Sequence, residues 1–295
     1  MKTRFCALWM ALLAAVSVFA APKPDAVVAA DGSAQYKTVR AAIDACPQIT
    51  KTGSPRWTIL VKPGTYRELV YIQREKRYIS LVGEDAVTTK ITFDLFNDYV
   101  APDGKALATF RTATIALDAD DFTVENLTIE NSAVRKGQAL AIRVDGDRVV
   151  FRRCIYRGWQ DTILINRGRH YFEDCTIEGA TDFIFGGATA WFERCTIRVL
   201  GDGYITAAST PDFQAHGYVF SHCKIEGATP QVRTFLGRPW RDYAQTVFLH
   251  TEMGEVVKPA GWDDWKKPQA HTTTRYAEFA STGPGATPEK RAKTR

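Results

Sequence analysis

Two aspartates have the residue type and spacing to do chemistry. Asp161 lies seven residues after Cys154. Asp182 lies seven residues after Cys175, in a segment that repeats the same pattern. We expect the aspartates to stack on adjacent coils of a repeat structure, roughly 5 Å apart at the backbone. Two carboxylates this close cannot both ionise freely, so one should have a raised pKa.

An alternative interpretation is a solvated acidic ladder on an outer face. Asp202, seven residues after Cys195, extends the same register and supports that alternative. The flanking segments favour a cleft instead, because WQDT at 159–162 and DFIFG at 182–186 surround the acids with aromatic and amide groups. The pattern therefore favours a functional pair.

Other chemistries find little support in the sequence. There is no G-x-S-x-G elbow, no Walker motif, no dinucleotide glycine pattern and no C-x-x-C spacing. Asp118, Asp120 and Asp121 lack the ordered spacing of a calcium site and are typical of a solvated turn. Basic residues form a compact cluster only at the C-terminus, so nucleic acid is not favoured. We expect neither a metal nor a nucleic-acid partner.

A repeat in the middle of the chain predicts the elements that hold the acids. Its copies are FRRCIYRG at 151–158, FEDCTIEG at 172–179, FERCTIR at 192–198 and FSHCKIEG at 220–227. Each copy places apolar residues on one face of a short strand, and no helical period separates the copies. Hairpin turns at regular spacing are missing, which counts against a sandwich. These features predict an all-β protein, a parallel β-helix.

The repeat cysteines should form a ladder inside the solenoid. Leu127 stands at the cysteine position in an earlier copy, ENLTIEN at 125–131, so the position is apolar. Buried thiols acting as small hydrophobic residues are therefore favoured, while a disulfide between adjacent coils stays possible.

Both ends of the solenoid carry their own signals. A helical spacing of apolar residues over 34–47 predicts a short N-terminal capping helix. We expect a single β-helix domain over residues 21–286. Residues 287–295 are poor in apolar side chains and predict a flexible basic tail.

The N-terminus has the pattern of an export signal. An apolar run over 5–21 follows Lys2 and Arg4, and small residues end it, which predicts a cleaved signal peptide over residues 1–20. A membrane anchor is the alternative, but the run is short for a bilayer. Cleavage lowers the net charge from +5 to +3, because it removes two basic residues. We expect a secreted protein, extracellular or periplasmic, with no membrane association after cleavage.

The two acidic segments, with several others in order, resemble the pectinesterase (pectin methylesterase) family. The further segments are GTYRE at 64–68, GQALA at 137–141, LGRPW at 236–240 and GPGA at 283–286. The resemblance covers nearly all of the chain from Asp31 onward. It implies a right-handed parallel β-helix that de-esterifies methylated polygalacturonate (homogalacturonan, in pectin), releasing methanol and pectate without a metal or cofactor.

The resemblance also implies roles for individual residues. Asp182 would be the nucleophile that forms an acyl-enzyme, and Asp161 would be the acid and base. Gln138 and Gln160 would stabilise the oxyanion. Substrate-binding roles would fall to Arg238, Trp240, Thr109 and Phe185. We expect Arg238 to keep the pKa of Asp182 low and the Asp182 carboxylate to raise the pKa of Asp161.

Three other functions remain to be distinguished. The first is a glycosidase or lyase on the same polymer, although an inverting hydrolase needs about 6.5–9.5 Å between its carboxyls. The second is a related esterase or thioesterase, and the third is a noncatalytic polysaccharide-binding protein. Trp159 and Leu164 depart from the family pattern and leave processivity open. Nothing in a capped solenoid requires a partner, so we expect a monomer.

Overall fold

Short strands make up most of the regular structure in residues 23–49 and 51–292, the residues that the computed structural model describes. The strands are β1 (Ala26–Val28), β2 (Trp57–Val61), β3 (Gly64–Arg67), β4 (Val70–Ile72), β5 (Ile79–Gly83), β6 (Thr89–Phe93), β7 (Ile115–Leu117), β8 (Thr123–Glu125), β9 (Thr128–Asn131), β10 (Ile142–Val144), β11 (Val149–Arg152), β12 (Ile155–Arg157), β13 (Ile163–Ile165), β14 (Arg169–Glu173), β15 (Thr176–Gly186), β16 (Thr189–Glu193), β17 (Thr196–Ala208), β18 (Tyr218–Ser221), β19 (Lys224–Gly227), β20 (Thr234–Gly237), β21 (Gln245–Leu249), β22 (Glu252–Met253) and β23 (Arg275–Phe279). Helical segments are α1 (Val39–Ala45), α2 (Ala270–Thr273) and two 3-10 turns, Thr109–Arg111 and Pro288–Lys290.

The predicted signal peptide lies outside the described residues. In the part of the chain that the structure describes, no helix is long and apolar enough to span a membrane.

All pairing between named strands is parallel. One sheet has ten strands in the order β1-β2-β5-β8-β11-β14-β16-β18-β21-β23, so the chain returns to it once per coil. A second sheet has 13 strands. One row of it runs β3-β6-β9-β12 and another runs β4-β7-β10-β13, and the long strand β15 pairs with the last strand of both rows and with the long strand β17. Parallel pairing between successive turns of one chain defines a solenoid, so the predicted parallel β-helix is confirmed.

Stacked side chains fill the interior of the solenoid. Five phenylalanines, one from each of five successive coils, form a ladder with ring centroids 4.4–4.6 Å apart: Phe151, Phe172, Phe192, Phe220 and Phe248. The four repeat cysteines, Cys154, Cys175, Cys195 and Cys223, are buried free thiols, as predicted. The apolar positions of the sequence repeat are thus the core of the protein.

A recurring left-handed residue turns the chain at one corner. The residue before each repeat cysteine, and the one before Leu127, has a φ of 51–53°. These residues are Asn126, Arg153, Asp174, Arg194 and His222. A left-handed residue at the same place in these five coils redirects the chain from the first sheet to the second, which keeps the coils in register.

Helix α1 is the predicted N-terminal cap, although it is shorter than the apolar spacing suggested. The Glu68 carboxylate accepts hydrogen bonds from the backbone N–H groups of Val39 and Arg40, at 2.8 and 2.9 Å. At the other end, Lys76 donates to the backbone oxygens of Asp44 and Cys46. Both charges oppose the partial charges of the helix ends. The glutamate of the GTYRE segment therefore secures the cap.

The C-terminal segment differs from the flexible tail expected over 287–295. Arg291 forms a two-point ion pair with Glu278, at 2.6 and 2.9 Å, and both side chains are less than a tenth exposed. Its guanidinium also donates to the backbone oxygens of Pro259 and Gly285. Residues 287–292 therefore pack against the last coils, because one buried arginine supplies the contact that apolar residues would otherwise make. Residues 293–295 lie outside the described residues.

Candidate functional site

The two aspartates lie on adjacent coils, as the repeat predicted. The Asp161 N–H donates to the backbone oxygen of Thr181 at 3.0 Å, and Gln160 pairs with Thr181 in a parallel bridge. Asp161 and Asp182 both have positive φ, at 64° and 50°, which is uncommon for residues with a side chain. Both side chains line the same cavity.

The cavity is a small cleft lined partly by aromatic rings. Its volume is about 80 Å³, and its lining consists of Thr109, Phe110, Gln138, Asp161, Asp182, Phe185, Ala207, Trp240 and Trp265. Asp161 and Asp182 are only 3% and 6% exposed. The flanking segments therefore do form a cleft around the acids, and the alternative of a solvated acidic ladder is wrong.

Asp202 does not extend the acidic pair. The pairing of β15 with β17 shifts register after Gly179, and Thr181 lies opposite Tyr204. The Asp202 carboxylate instead accepts a hydrogen bond from the Arg233 N–H at 2.8 Å. The cavity thus contains two acids and not three.

Arg238 binds Asp182 edge-on with two hydrogen bonds. Its Nε lies 2.8 Å from Oδ1 and its Nη2 lies 2.6 Å from Oδ2. The Arg238 side chain is 17% exposed and that of Asp182 is 9% exposed. A two-point, charge-assisted contact of this kind is shorter and stronger than a neutral hydrogen bond.

A glycine allows Arg238 to reach its partner. A Cβ on Gly237 would lie 2.1 Å from Thr206 Oγ1, so only glycine fits at this close approach of β20 to β17. The Arg238 N–H then donates to the Thr206 backbone oxygen at 3.0 Å. The LGRPW segment thereby continues along the wall of the cavity to Trp240.

Burial raises the pKa of both acids, and their charged neighbours then distinguish them. The pKa of Asp161 is raised to about 8, chiefly by burial and then by the neighbouring Asp182, while Arg238 opposes both. Burial also raises the pKa of Asp182, whereas its hydrogen bonds with Arg238 lower it. The expected rise at Asp161 is confirmed, but burial contributes more than the carboxylate neighbour. The expected low pKa of Asp182 is wrong, since desolvation outweighs the arginine.

Asp161 is the weaker acid of the pair. Among the described residues, no hydrogen-bond donor reaches its carboxyl group, whereas Arg238 binds both oxygens of Asp182. The arginine stabilises the ionised form of Asp182 directly and that of Asp161 only at a distance. The first proton lost from the pair therefore leaves Asp182.

Thr109 fixes the orientation of the Gln138 amide. The Thr109 hydroxyl donates to Gln138 Oε1 at 2.6 Å, so the amide nitrogen is the Gln138 side-chain group that can donate into the cavity. The backbone of Gln138 is held as well, because its N–H donates to Asn97 Oδ1 and its oxygen accepts from the Asn97 N–H. Gln138 is thus a rigid donor facing the acids.

The structure brings together most of the predicted site residues. Phe185 and Trp240 line the cavity with ring centroids 5.6 Å apart. Gln160 forms a parallel backbone bridge with Gln138 on the adjacent coil, but its side chain is outside the cavity lining. Arg238 is also outside the lining and acts on the cavity through Asp182.

Sequence reasoning missed three residues of the lining: Phe110, Ala207 and Trp265. Phe110 belongs to a short 3-10 turn, and its ring meets the Trp240 ring edge-on at 6.5 Å. Ala207 is an ordinary buried strand residue with no signal of its own. Trp265 follows the two acids Asp263 and Asp264. An aromatic residue in such a polar segment is the sequence feature that could have identified it as a site residue.

Similar proteins are known from sequence and structure. The pectinesterase family model matches residues 25–295. Pectinesterase 31 of Arabidopsis thaliana is 36% identical over 90% of this chain and 84% of its own length. Probable pectinesterase/pectinesterase inhibitor 58 of the same plant is also 36% identical, and the chain spans about half of its length, 48%.

Solved structures extend the similarity to the fold. Pectin methylesterase from carrot is 35% identical and superposes with a TM-score of 0.85 over 93% of this chain and 87% of its own. A pectin methylesterase in complex with a hexasaccharide is 31% identical, with a TM-score of 0.79 over 90% of this chain and 91% of its own. These neighbours have a right-handed parallel β-helix, so the predicted hand of the solenoid is confirmed.

Proposed function

The chain belongs to the pectinesterase family, and on that premise we propose that it is a carbohydrate esterase that removes methyl groups from the galacturonate esters of pectin. The observation that carries this proposal is the buried pair of Asp161 and Asp182, in which a single arginine binds one acid and not the other. Pairs of titratable groups in unlike surroundings divide into an acid and a base or nucleophile.

Asp182 is the proposed nucleophile. Arg238 stabilises its ionised form, so one carboxylate oxygen can attack the ester carbonyl carbon. As that bond forms, the carbonyl π electrons move to the oxygen and give a tetrahedral oxyanion. The carboxylate is already buried before substrate binds, so little water has to be removed from it during the attack.

Asp161 is the proposed general acid and then the general base. Its pKa of about 8 keeps it protonated at neutral pH, and it can donate that proton to the departing methoxide. Collapse of the oxyanion breaks the bond to the methoxy oxygen and leaves an acyl-enzyme, an anhydride of Asp182. Asp161, now ionised, takes a proton from water, and the resulting hydroxide releases galacturonate and regenerates the Asp182 carboxylate.

Gln138 is the proposed donor to the oxyanion. Its amide oxygen is occupied by Thr109, so the N–H group can point to the carbonyl oxygen of the ester. Loss of one such donor typically costs about 2.7–4 kcal/mol of transition-state stabilisation. We propose the same role for Gln160, which is bridged to Gln138 on the adjacent coil, once substrate fills the cavity.

The shape of the cleft supports a polymeric substrate. The cavity of about 80 Å³ has room for a methyl ester group but not for a sugar ring. A wider concavity of about 580 Å³ shares Trp240 and extends to Arg241 and Tyr243. Sugar rings can therefore lie outside the small cavity against the aromatic residues while one ester group enters it.

We further propose that residues 1–20 are removed on export and that the enzyme acts outside the cell as a monomer. The apolar N-terminal run supports export. A single row of coils from β1 to β23, capped by α1, supports one domain that needs no partner to cover its ends. Light scattering of the mature protein would test the proposed oligomeric state.

The function can be tested by incubating the mature protein with highly methylated pectin in the presence of EDTA. We expect methanol and protons to appear together while polymer length stays constant. Chain shortening would indicate a glycosidase, and an unsaturated product would indicate a lyase. A folded sample that releases no methanol would overturn the proposal.

A further inference from the structure

Two aromatic rings enclose the Arg238 guanidinium. Its central carbon lies 3.8 Å from the centroid of the Tyr204 ring and 3.7 Å from the centroid of the Trp265 ring. Two rings this close to one atom must lie on opposite faces of the guanidinium. Arg238 is therefore held between two π faces while its edge is bound to Asp182.

The enclosure is part of a longer column of rings and cations. Behind Tyr204, the Phe235 ring stacks at 5.4 Å with an interplanar angle of 12°, and the Lys258 ammonium lies 4.3 Å from Phe235. The Lys267 ammonium lies 5.1 Å from the centroid of the Trp265 ring. Each ring of the column thus contacts a cation or another ring, and Arg238 is the cation with rings on both sides.

Strand register explains why the column forms at this place. Tyr204 pairs with Thr181, the residue before Asp182, on one side and with Phe235 on the other. Trp265 lies on a loop, and its own φ is 54°. Its backbone N–H donates to Asp263 Oδ1 at 2.8 Å. The solenoid supplies one ring of the enclosure and a braced loop supplies the other.

An arginine needs such support to act as a precise partner. Its planar donors can bind a carboxylate at two points only when the plane is oriented correctly, and the faces of the plane cannot donate hydrogen bonds. Aromatic faces attract the guanidinium and restrict rotation of its plane. Without them, the side chain of Arg238 would have other rotamers available.

We propose that Tyr204 and Trp265 are positioning residues that hold Arg238 in the plane of the Asp182 carboxylate and thereby keep this nucleophile ionised. The inference rests on the role of Asp182 proposed above. Tyr204 does not line the cavity, and its ring contacts Arg238, so the ring acts on the reaction through that arginine and not through substrate contact. Trp265 lines the cavity and can contact substrate as well.

Other ionisable groups also face the pair. Asp161 faces it from the adjacent coil, Asp263 from the loop before Trp265, and Tyr276 from β23. Lys267 also contacts Trp265 and interacts electrostatically with Arg238. None of these groups is changed in a Tyr204 variant, so a change in the ionisation of Asp182 in that variant reports on Arg238.

The primary test is Tyr204→Leu, with kcat and KM for methylated pectin measured across pH. We expect the acid limb of kcat/KM to move upward by up to about one pH unit, because a less constrained Arg238 stabilises the carboxylate less. KM at the pH optimum should change less than twofold. Tyr204→Phe keeps the ring and should keep the wild-type profile.

Two further variants separate positioning from substrate contact. Trp191→Leu removes an exposed tryptophan on the other sheet and serves as the matched control, with no expected change in the profile. Trp265→Leu should also move the acid limb, and it carries the same test if Tyr204→Leu does not fold. In an Arg238→Lys background, neither Tyr204→Leu nor Trp265→Leu should move the acid limb of kcat/KM, since lysine has no planar group to orient.

A measurement independent of activity completes the test. In ¹⁵N NMR spectra, the Arg238 Nε–H signal, assigned by its loss in Arg238→Lys, should exchange with water faster in Tyr204→Leu than in the wild type. An unchanged exchange rate together with an unchanged acid limb would overturn the inference. A wild-type protein that releases no methanol would overturn the proposed function, while the exchange measurement would still decide whether the rings hold Arg238.

Discussion

Arg238 binds both carboxylate oxygens of Asp182, at 2.8 and 2.6 Å, and binds neither oxygen of Asp161 on the adjacent coil. This asymmetry is what distinguishes two carboxyl groups that are otherwise alike. Both are nearly buried, both have a left-handed backbone and both line one cavity. The contact with one arginine is enough to determine which of the two loses its proton first.

Replacement of Asp182 should abolish turnover without abolishing the fold. Asp182→Asn keeps the size of the side chain but removes the charge that attacks the ester. We expect kcat to fall by about 10⁴-fold or more, as for other nucleophiles in covalent catalysis. Burst and steady-state methanol release would check this, with circular dichroism confirming the fold. Retention of more than a tenth of the wild-type rate would contradict a covalent role for Asp182.

Activity should decline as the pH rises through about 8. The proposed general acid Asp161 has a pKa of about 8 and must be protonated for methoxide to leave. The fraction of protonated Asp161 therefore falls as pH increases, and kcat/KM should fall with it. Initial rates on methylated pectin from pH 5 to 9.5 would show this limb. A rate that stays constant from pH 7 to 9.5 would show that the step does not need a protonated Asp161.

The same aspartate should make the stability of the protein depend on pH. The folded-state pKa of Asp161 is raised from 3.8 to about 8, so the folded protein holds this proton more tightly than the unfolded chain. The stabilisation is fully present below about pH 4 and is lost as the pH rises through 8. Asp161→Asn cannot ionise, so it should have a higher Tm than the wild type at pH 8 and a smaller difference at pH 5. Thermal melts at both values would check this, and equal Tm differences would count against burial as the cause.

The repeat was the part of the fold that the sequence could reveal. Phe151 and Cys154 recur with their spacing because each coil must fill the same interior slots, so stacking could be inferred without coordinates. The same register placed Asp161 beside Asp182. Burial of the pair could be inferred only qualitatively from the neighbouring aromatic residues, and for that reason the pKa of Asp182 was predicted in the wrong direction.

Contacts between distant segments could not be read from the repeat. Trp265 reaches the cavity on the loop between β22 and β23, and Arg291 turns back to Glu278 from a segment poor in apolar residues. Neither contact follows a period, and each depends on where a loop ends in space. Composition alone therefore predicted a flexible tail where a buried ion pair is found.

Thr109 should influence catalysis through Gln138. Thr109→Val keeps the shape of the side chain but removes the hydroxyl that fixes the Gln138 amide, so kcat should fall several-fold, up to about tenfold. Thr109→Ser retains the hydroxyl and should retain most of the activity. Steady-state kinetics of both variants in the wild type and in Gln138→Ala would check the pathway. If Thr109→Val lowered kcat equally in the Gln138→Ala background, its effect would not pass through Gln138.

The ion pair between Arg291 and Glu278 should contribute strongly to stability. Arg291→Ala leaves the Glu278 carboxylate buried without its partner, and breaking a buried pair in this way typically costs about 3–5 kcal/mol. Lys290→Ala removes an adjacent but exposed cation and provides the matched control. Urea denaturation of both variants would measure the free energy of unfolding. Neither side chain lines the cavity, so kcat of the folded Arg291→Ala protein should stay near the wild-type value. A loss of less than 1 kcal/mol would instead indicate that residues 287–292 are flexible in solution.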